Sequence, residues 1–183
     1  WYLDPRIAED QQPDDSIFSD ELHRGHMAAR EYVYWGRSEG ERQRADADSF
    51  TLTNACPQLR SFNSSGGEWW NVERAVMTAL KGQHGRCSVF MGPIFRTCDQ
   101  AYDRLRSKRS TANRGTGIRI PTRFWKVVVW VEDDQLFYRA FLFDQSDELR
   151  EAGDLEFVFD TPEGVTETTL EAISRSTGLQ FAF

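Results

Sequence analysis

The sequence predicts an α+β domain built on a largely antiparallel sheet. One amphipathic segment near the middle of the chain indicates a helix, and segments with alternating apolar residues lie on both sides of it. The longest of these segments is interrupted by Asp133-Asp134, which is typical of two strands joined by a tight turn. A chain of 183 residues suits one domain with its own core, so we assign residues 1–183 to a single domain.

The first third of the chain contains few regular elements. Residues 1–21 are acidic and contain two prolines, which favours an irregular segment. "DSFTLTN" (48–54) alternates and is rich in Thr and Phe, which predicts a short strand. "CPQLRSFNSSGG" (56–67) is predicted to be a loop because of its Pro, Asn, Ser and Gly content.

The strongest helix prediction covers residues 68–82, "EWWNVERAVMTALKG". Its apolar residues recur at helical spacing, which places Trp69, Val72, Val76 and Leu80 on one face. Lys81-Gly82 is typical of a helix end. We expect Trp69 and Trp70 to pack in the core rather than stack on bases. The following segment, "CSVFMGPIF" (87–95), predicts a buried strand that ends at Gly92-Pro93.

The second half of the chain predicts a hairpin and a final helix. Residues 123–144 form the two strands, with Trp125, Val127 and Val129 on one face of the first. In "VTETTLEAISRSTGLQF" (165–181), Thr168 and Glu171 predict a capping box, and Gly178 predicts the C-terminal cap.

Charge and cysteine content limit the function classes. The net charge is −7, which argues against unselective coating of nucleic acid, yet eight basic and no acidic residues lie between Arg104 and Lys126. Charge alone leaves a local polyanion site and a solvated loop equally open. Three cysteines favour a reduced, cytoplasmic protein over a secreted or periplasmic one, with all three packed as small apolar groups. No apolar stretch is long enough for a membrane span.

"HRGHMA" (23–28) is open to three interpretations. His23 and His26 could be zinc ligands, although Gly25 argues against a helix that would align them. They could also be hydrogen-bonded loop histidines, and so could His84. In the third interpretation His26 is a general base beside Arg24 as an anion clamp, the pair of groups that phosphate chemistry needs.

The downstream segment 50–73 favours the third interpretation. It places four oxygen-bearing side chains at a strand end, a loop and a helix, namely Asn54, Gln58, Asn63 and Glu73. Such donors suit Mg²⁺, which keeps most of its waters, better than Zn²⁺.

These motifs, in this order, resemble the DNA/RNA non-specific endonuclease family, nucleases with a ββα-metal site that include the endonuclease G type. The resemblance is carried by Arg24-Gly25-His26, Thr53-Asn54, Pro57-Gln58, Asn63 and Glu73. "VFMGPIF", "IPTRFWKVVVW" and "STGLQF" are similar to later segments of the family, so the resemblance spans nearly the whole chain.

The resemblance implies an endonuclease that cuts DNA and RNA without sequence preference and leaves 5′-phosphate and 3′-hydroxyl ends. It implies that His26 is the general base and that Asn63 is the one direct ligand of Mg²⁺, for which Mn²⁺ can substitute. Glu73 would then hold a water of that ion, and Arg24 would stabilise charge on the phosphate. Asn54 and Gln58 would position the site or the substrate. We also expect the basic stretch to bind substrate through Arg109, Arg114 and Arg119.

The chain departs from the family pattern in three respects. His23 stands where the family has Asp, which predicts a less negative environment beside Arg24 and supports a competing hypothesis of a degenerate nucleic-acid-binding module. The family has further strands before the segment that resembles "WYLDPRI", so we expect a domain truncated at its N-terminal side. Ala28-Ala29 replaces the family's more familiar apolar-Ala-Pro continuation. With "REYVYWG" after it, this segment resembles a bacterial subgroup in which some members are fused to other modules, which leaves a fused or associated module open. Relatives often dimerise, which leaves a homodimer open.

Overall fold

The structure, a computed structural model, describes residues 1–13, 15–83, 86–99, 119–146 and 166–182. Its α-helices are α1 (Arg30–Val33), α2 (Glu39–Asp48), α3 (Arg60–Asn63), α4 (Glu68–Gln83) and α5 (Leu170–Thr177). Its strands are β1 (Leu22–His26), β2 (Ala55–Leu59), β3 (Cys87–Ile94), β4 (Arg123–Glu132), β5 (Gln135–Asp144) and β6 (Thr166–Thr168). Within these ranges, no helix has both the length and the apolar character needed to cross a membrane.

The strands form two antiparallel sheets. β1 pairs with β2, and the other four strands form a sheet in the order β3-β4-β5-β6. α3 and α4 follow β2 directly, so the β1–β2 ribbon and α4 make a strand–strand–helix unit that carries the sequence motifs. The mixed architecture confirms the predicted α+β class.

An aromatic cluster packs this unit against the four-stranded sheet. Phe62 of α3, Trp69 of α4, Phe124 of β4 and Phe143 of β5 are each no more than 1% exposed. The Trp69 and Phe143 ring centroids are 5.0 Å apart, and those of Phe62 and Phe124 are 5.5 Å apart. Burying each such ring contributes ~1.5–3 kcal/mol, so the cluster fixes α4 relative to the sheet. The prediction that Trp69 is a core residue is confirmed, whereas Trp70 is only partly buried, with Arg74 5.1 Å from its ring centroid.

The predicted hairpin and its inward face are also confirmed. Asp133 and Asp134 have φ angles of 50° and 59°, the left-handed conformation that a two-residue hairpin turn requires. Alternate residues of β4 pack against α5 through Ile173, in a cluster that contains Trp125, Val127 and Val129. The helix ends at Gly178 with φ 74°, as predicted.

Two strand predictions have the wrong bounds. Residues 52–54 form a 3-10 helix, and the strand is Ala55–Leu59, inside the predicted loop. β3 likewise continues through Gly92-Pro93 to Ile94, and it is not the buried strand that was predicted, because Phe90 is 45% exposed and only Gly92 and Ile94 are buried. Proline lacks a donor and is tolerated where its nitrogen faces no partner strand. Pro57 lies in a two-stranded ribbon and Pro93 in an edge strand, so neither ends its strand.

Other local predictions need smaller corrections. α2 was not predicted because it has no buried residue and no apolar face, although Ser38 caps it by accepting from the Glu41 amide at 3.2 Å. α5 is capped by Thr169, not Thr168, which pairs with Ala140 in the sheet. All three cysteines are free, but only Cys56 is buried, and Cys98 is exposed.

Candidate active site

The Arg-Gly-His motif lies on β1, paired with the Pro-Gln motif on β2. His23 is opposite Gln58, Arg24 is opposite Pro57, and His26 is opposite Ala55. Side chains alternate between the faces of a strand, so Arg24 and His26 project from the same face. The extended backbone excludes the helix on which His23 and His26 would be neighbouring ligands.

Gly25 is required because Gln58 crosses its backbone. A Cβ at Gly25 would lie 1.9 Å from the Gln58 Oε1 atom, far inside van der Waals contact. Gln58 is fully buried, and neither of its amide atoms has a hydrogen-bond partner among the described residues. Burying an amide without hydrogen-bond partners costs about 1–3 kcal/mol, so fold stability alone does not favour glutamine at position 58.

His26 packs against two aromatic rings that also contact each other. The ring centroids of Trp1 and Phe50 are 4.5 Å and 5.1 Å from that of His26. Burial, and then the nearby charge of Arg30, lowers the pKa of His26 to about 4. Its Nε2 atom is buried and accepts no hydrogen bond within the described part of the chain. The imidazole is therefore neutral at physiological pH and has a nitrogen available to accept a proton.

Asn54 ties down the loop that follows His26. Its side-chain oxygen accepts from the Ala28 amide at 2.9 Å, and its nitrogen donates to the carbonyls of Ala28 at 3.0 Å and Ser49 at 2.9 Å. The Asn54 carbonyl also accepts from the Met27 amide at 2.9 Å. These contacts are those of a residue that positions the site rather than one that touches a substrate.

Arg24 is held by a carboxylate that sequence reasoning missed. Its Nε and Nη2 atoms donate to the two Asp15 oxygens at 2.6 and 2.8 Å, and the guanidinium lies 5.2 Å from the Phe18 ring centroid. These hydrogen bonds lower the pKa of Asp15. The less negative environment expected beside Arg24, because of His23, is thus not observed. No sequence pattern in the 3-10 segment Asp15–Ile17 pointed to this contact.

Two clefts meet at His26 and Asn63. The first, about 530 Å³, is also lined by Trp1, Ser19, Asp20, His23, Arg24, Arg60 and Ser64. The second, about 510 Å³, is also lined by Ala29, Arg30, Glu31, Tyr32, Trp70, Glu73, Arg74, Met77, Thr78 and Lys81. An extended ligand that followed both clefts would therefore pass over His26 and Asn63.

Glu73 lines the second cleft from α4 and pairs with a buried lysine. The Lys126 Nζ atom donates to Glu73 Oε1 at 3.2 Å, and Lys126 is 0% exposed. Burial lowers the pKa of Lys126 to about 8 and raises that of Glu73. The signal in the sequence was the single charge within the apolar run "FWKVVVW" (124–130), which indicates a buried partner rather than a solvated groove.

The described end of the basic stretch is engaged within the protein. Arg119 donates to the carbonyls of Thr97 at 2.9 Å and Asp99 at 2.7 Å. Arg123 donates to Asp144 at 2.8 Å. Apart from Lys126, the other members of the stretch, among them Arg109 and Arg114, lie outside the described residues, and so does His84.

Asn63 and Glu73 are the oxygen donors that could hold a hard cation. They line the same cleft, where an amide and a carboxylate oxygen would serve an ion that keeps several waters. Among the described residues, no group of three or more His, Cys, Asp or Glu side chains is placed to hold a metal ion.

The fold is shared with a solved structure. The crystal structure of an EndoG/EndoGI complex, which concerns EndoG inhibition, matches with a TM-score of 0.61 and 22% identity. The match covers 97% of this chain and 66% of that one.

Curated relatives match in sequence over part of their length. An uncharacterised protein of Sinorhizobium fredii, y4fB, is 32% identical over 155 residues, 80% of this chain and 21% of that protein. A salivary endonuclease of Culex quinquefasciatus is 32% identical over 81 residues, 44% of this chain and 20% of that protein. The chain spans about a fifth of the length of these relatives. The sequence model of the DNA/RNA non-specific endonuclease family matches residues 1–182. The chain therefore belongs to that family.

Proposed function

We propose that the chain is a metal-dependent endonuclease that hydrolyses DNA and RNA without sequence preference and leaves 5′-phosphate and 3′-hydroxyl ends. Family membership supports nuclease chemistry. The observation that carries the proposal is the position of His26. Its unpartnered Nε2 lies, together with Asn63, where two clefts meet.

His26 takes the proton from the attacking water. A general base must be deprotonated before reaction, and the low pKa of His26 ensures this at neutral pH. A base of low pKa is also a weaker base, and a bound phosphate would correct this because negative charge beside the ring favours the imidazolium. Trp1 and Phe50 restrict the orientation of the ring.

Arg24 stabilises negative charge on the phosphoryl oxygens. Its guanidinium lines the first cleft and is only 30% exposed. Asp15 holds it in one orientation through two hydrogen bonds, which reduces the entropy lost when a phosphate binds. The remaining donors of the guanidinium are those available to substrate.

Asn63 and Glu73 hold the cation, which we propose to be Mg²⁺ with Mn²⁺ as a substitute. Asn63 supplies the direct oxygen ligand, and Glu73 accepts a hydrogen bond from water in the hydration shell of the ion. When bound, such an ion stabilises the charge that develops on the departing 3′ oxygen. Asn54 and Gln58 keep the strand that carries His26 in register, through the contacts described above.

The clefts suit a nucleic-acid backbone rather than base edges. Each is open and carries basic side chains, His23, Arg24 and Arg60 in the first and Arg30, Arg74 and Lys81 in the second. Contacts to phosphates fix position without reading sequence, which supports action on both DNA and RNA. The greater length of the curated relatives supports a fused or associated module, and a homodimer stays a prediction.

The test is cleavage of supercoiled plasmid and of single-stranded RNA with Mg²⁺, with Mn²⁺ and with EDTA. We expect nicking with either ion, none with EDTA, and products that carry 5′-phosphates. Binding without cleavage in all three conditions would instead support the degenerate binding module, which His23 at the family's Asp position favours. Cleavage that persists in EDTA would contradict the metal dependence.

A further inference from the structure

We propose that Lys126 is a positioning residue that holds Glu73 in the orientation needed to serve the cation site. The inference rests on the proposed function and assigns a role to a residue of the sheet that touches neither substrate nor cation. The geometry of the Lys126 ammonium, its surroundings and its single described hydrogen bond carry it.

The ammonium of Lys126 is enclosed by aromatic rings. Its Nζ atom lies 3.7 Å from the ring centroid of Trp69, 5.6 Å from that of Tyr32 and 6.0 Å from that of Phe143. A cation over the face of an indole ring is stabilised by the ring quadrupole, most strongly where water is excluded. Because Trp69 and Phe143 are themselves packed in the core, the ammonium has a fixed position.

The hydrogen bond from this ammonium goes to the carboxylate of Glu73. Glu73 Oε1 accepts from Lys126 at 3.2 Å, whereas the Glu73 side chain is 17% exposed and lines the second cleft. A carboxylate is planar, so fixing one oxygen toward the core also fixes the direction of the other. Lys126 thereby connects the rigid sheet to the part of the cleft that contains His26 and Asn63.

Stability alone is a weak reason for this ion pair. Burying two charges costs several kcal/mol per ion before the pair forms, and replacing such pairs by apolar residues is often neutral or stabilising. A Lys126–Glu73 pair under the cleft is instead typical of a residue that orients, through a hydrogen bond, a group that serves a metal ion. Loss of such orienting residues typically costs roughly 10–100-fold in metal affinity or activity.

The experiment measures Mn²⁺ affinity of substrate-free protein by calorimetry and plasmid cleavage for four proteins: the parent, Lys126→Met, Glu73→Gln and the double variant. We expect each single variant to lose roughly 10-fold or more in Mn²⁺ affinity and in kcat, with little change in KM for DNA. The double variant should bind no more weakly than Glu73→Gln, because Lys126 acts only through Glu73. Arg139→Met, which breaks the exposed pair with Glu167 on the same sheet, is the matched control and should match the parent.

Unchanged Mn²⁺ affinity in Lys126→Met, or a full additional loss in the double variant, would overturn the proposal. If Lys126→Met does not fold because it leaves a buried carboxylate unpaired, the orientation of residue 73 in crystal structures of Glu73→Gln and of the double variant gives the decisive comparison. Crystal structures of the parent and the double variant provide a second test, which does not depend on enzymatic activity. Residue 73 should turn away from its position in the cleft, and an unchanged rotamer would refute the inference even if the parent neither cuts nor binds Mn²⁺.

Discussion

At the scale of single residues, the two histidines of the motif have different environments. His26 packs against Trp1 and Phe50 where the two clefts meet. His23 lines the first cleft but not the second. His26→Ala should reduce turnover by about 10²–10⁴-fold, the usual contribution of a general base, while DNA and Mn²⁺ affinity persist. His23→Ala, the matched variant on the same strand, should cost much less. An inactive His23→Ala beside an active His26→Ala would show that the motif register is wrong.

The lowered pKa of His26 gives a stability prediction with a definite sign. The folded value is about 4, while an unperturbed histidine titrates near 6.5. Between these pH values the unfolded chain binds a proton that the folded chain does not, so the free energy of unfolding rises with pH through this window. Urea denaturation of the parent and of His26→Ala at several pH values should show a shallower rise in the variant. Equal slopes would mean that His26 is less buried than the structure indicates.

Asn63 should be essential for the cation but not for the fold. It ends the short helix α3 and lines both clefts, and it makes no described hydrogen bond through its side chain. Asn63→Ala should therefore lose Mg²⁺ or Mn²⁺ affinity and nearly all activity, with an unchanged melting temperature. Asn71→Ala is the control, because Asn71 is exposed on α4 and its side-chain amide donates to the Gly66 carbonyl at 3.1 Å. Cleavage by Asn63→Ala at ordinary Mg²⁺ concentration would contradict the ligand assignment.

At the scale of elements, the same substitution should have opposite effects in a strand and in a helix. Gly25→Ala in β1 places a methyl group against the buried Gln58, and overpacking of this kind costs about 1–3 kcal/mol. Gly40→Ala in α2 meets nothing closer than the Arg44 side chain at 3.8 Å, and it should stabilise by ~0.5–1 kcal/mol. Denaturant midpoints of both variants give the comparison. A Gly25→Ala protein as stable as the parent would mean that Gln58 can move aside.

The elements that the sequence predicted well are those with a strong period or a strong turn signal. α4 and the β4–β5 hairpin combine both. Trp69 and Val72 of the predicted α4 face pack in the core, and so do the predicted inward residues of β4, among them Val127. The β1–β2 ribbon was missed in part because Pro57 and its polar neighbours indicate a loop, and only pairing with β1 makes them a strand. α2 has no apolar period because none of its residues is fully buried, and its partly buried face carries Arg42, Ala45 and Asp46. It is stabilised by its cap and by ion pairs such as Arg42–Glu39.

The site was predictable where a residue type is tied to a short motif, and not where a contact is long-range. The structure brings His26, Asn63 and Glu73 to one cleft, as the ordered motifs suggested. Asp15 beside Arg24 and Lys126 beneath Glu73 depend on tertiary packing, which no local spacing encodes. The roles assigned to these residues stay predictions until the variants are measured.

At the scale of the whole molecule, an acidic chain is proposed to bind a polyanion. The net charge of −7 opposes DNA binding at long range, so affinity must come from local basic groups. Several basic residues are already paired with carboxylates, outside the clefts as Arg123 is with Asp144 and inside them as Arg24 is with Asp15. Binding should therefore depend on the remaining basic cleft residues and on the basic stretch from Arg104. The assignment of residues 1–183 to one truncated domain stays a prediction.

The salt dependence of DNA affinity tests whether the basic stretch contributes. Each phosphate that a lysine or arginine neutralises adds about 0.9 to the slope of log affinity against log salt. If Arg109 and Arg114 contact the DNA backbone, replacing both by Ala should weaken binding to every DNA sequence equally. The slope should then fall by nearly twice the amount expected for one phosphate contact. Replacing Arg42 and Arg139 by Ala removes the same charge from exposed ion pairs, with Glu39 and Glu167, so the slope should hardly change. Equal slopes for the two double variants would show that only net charge matters, and the stretch would then be a solvated loop.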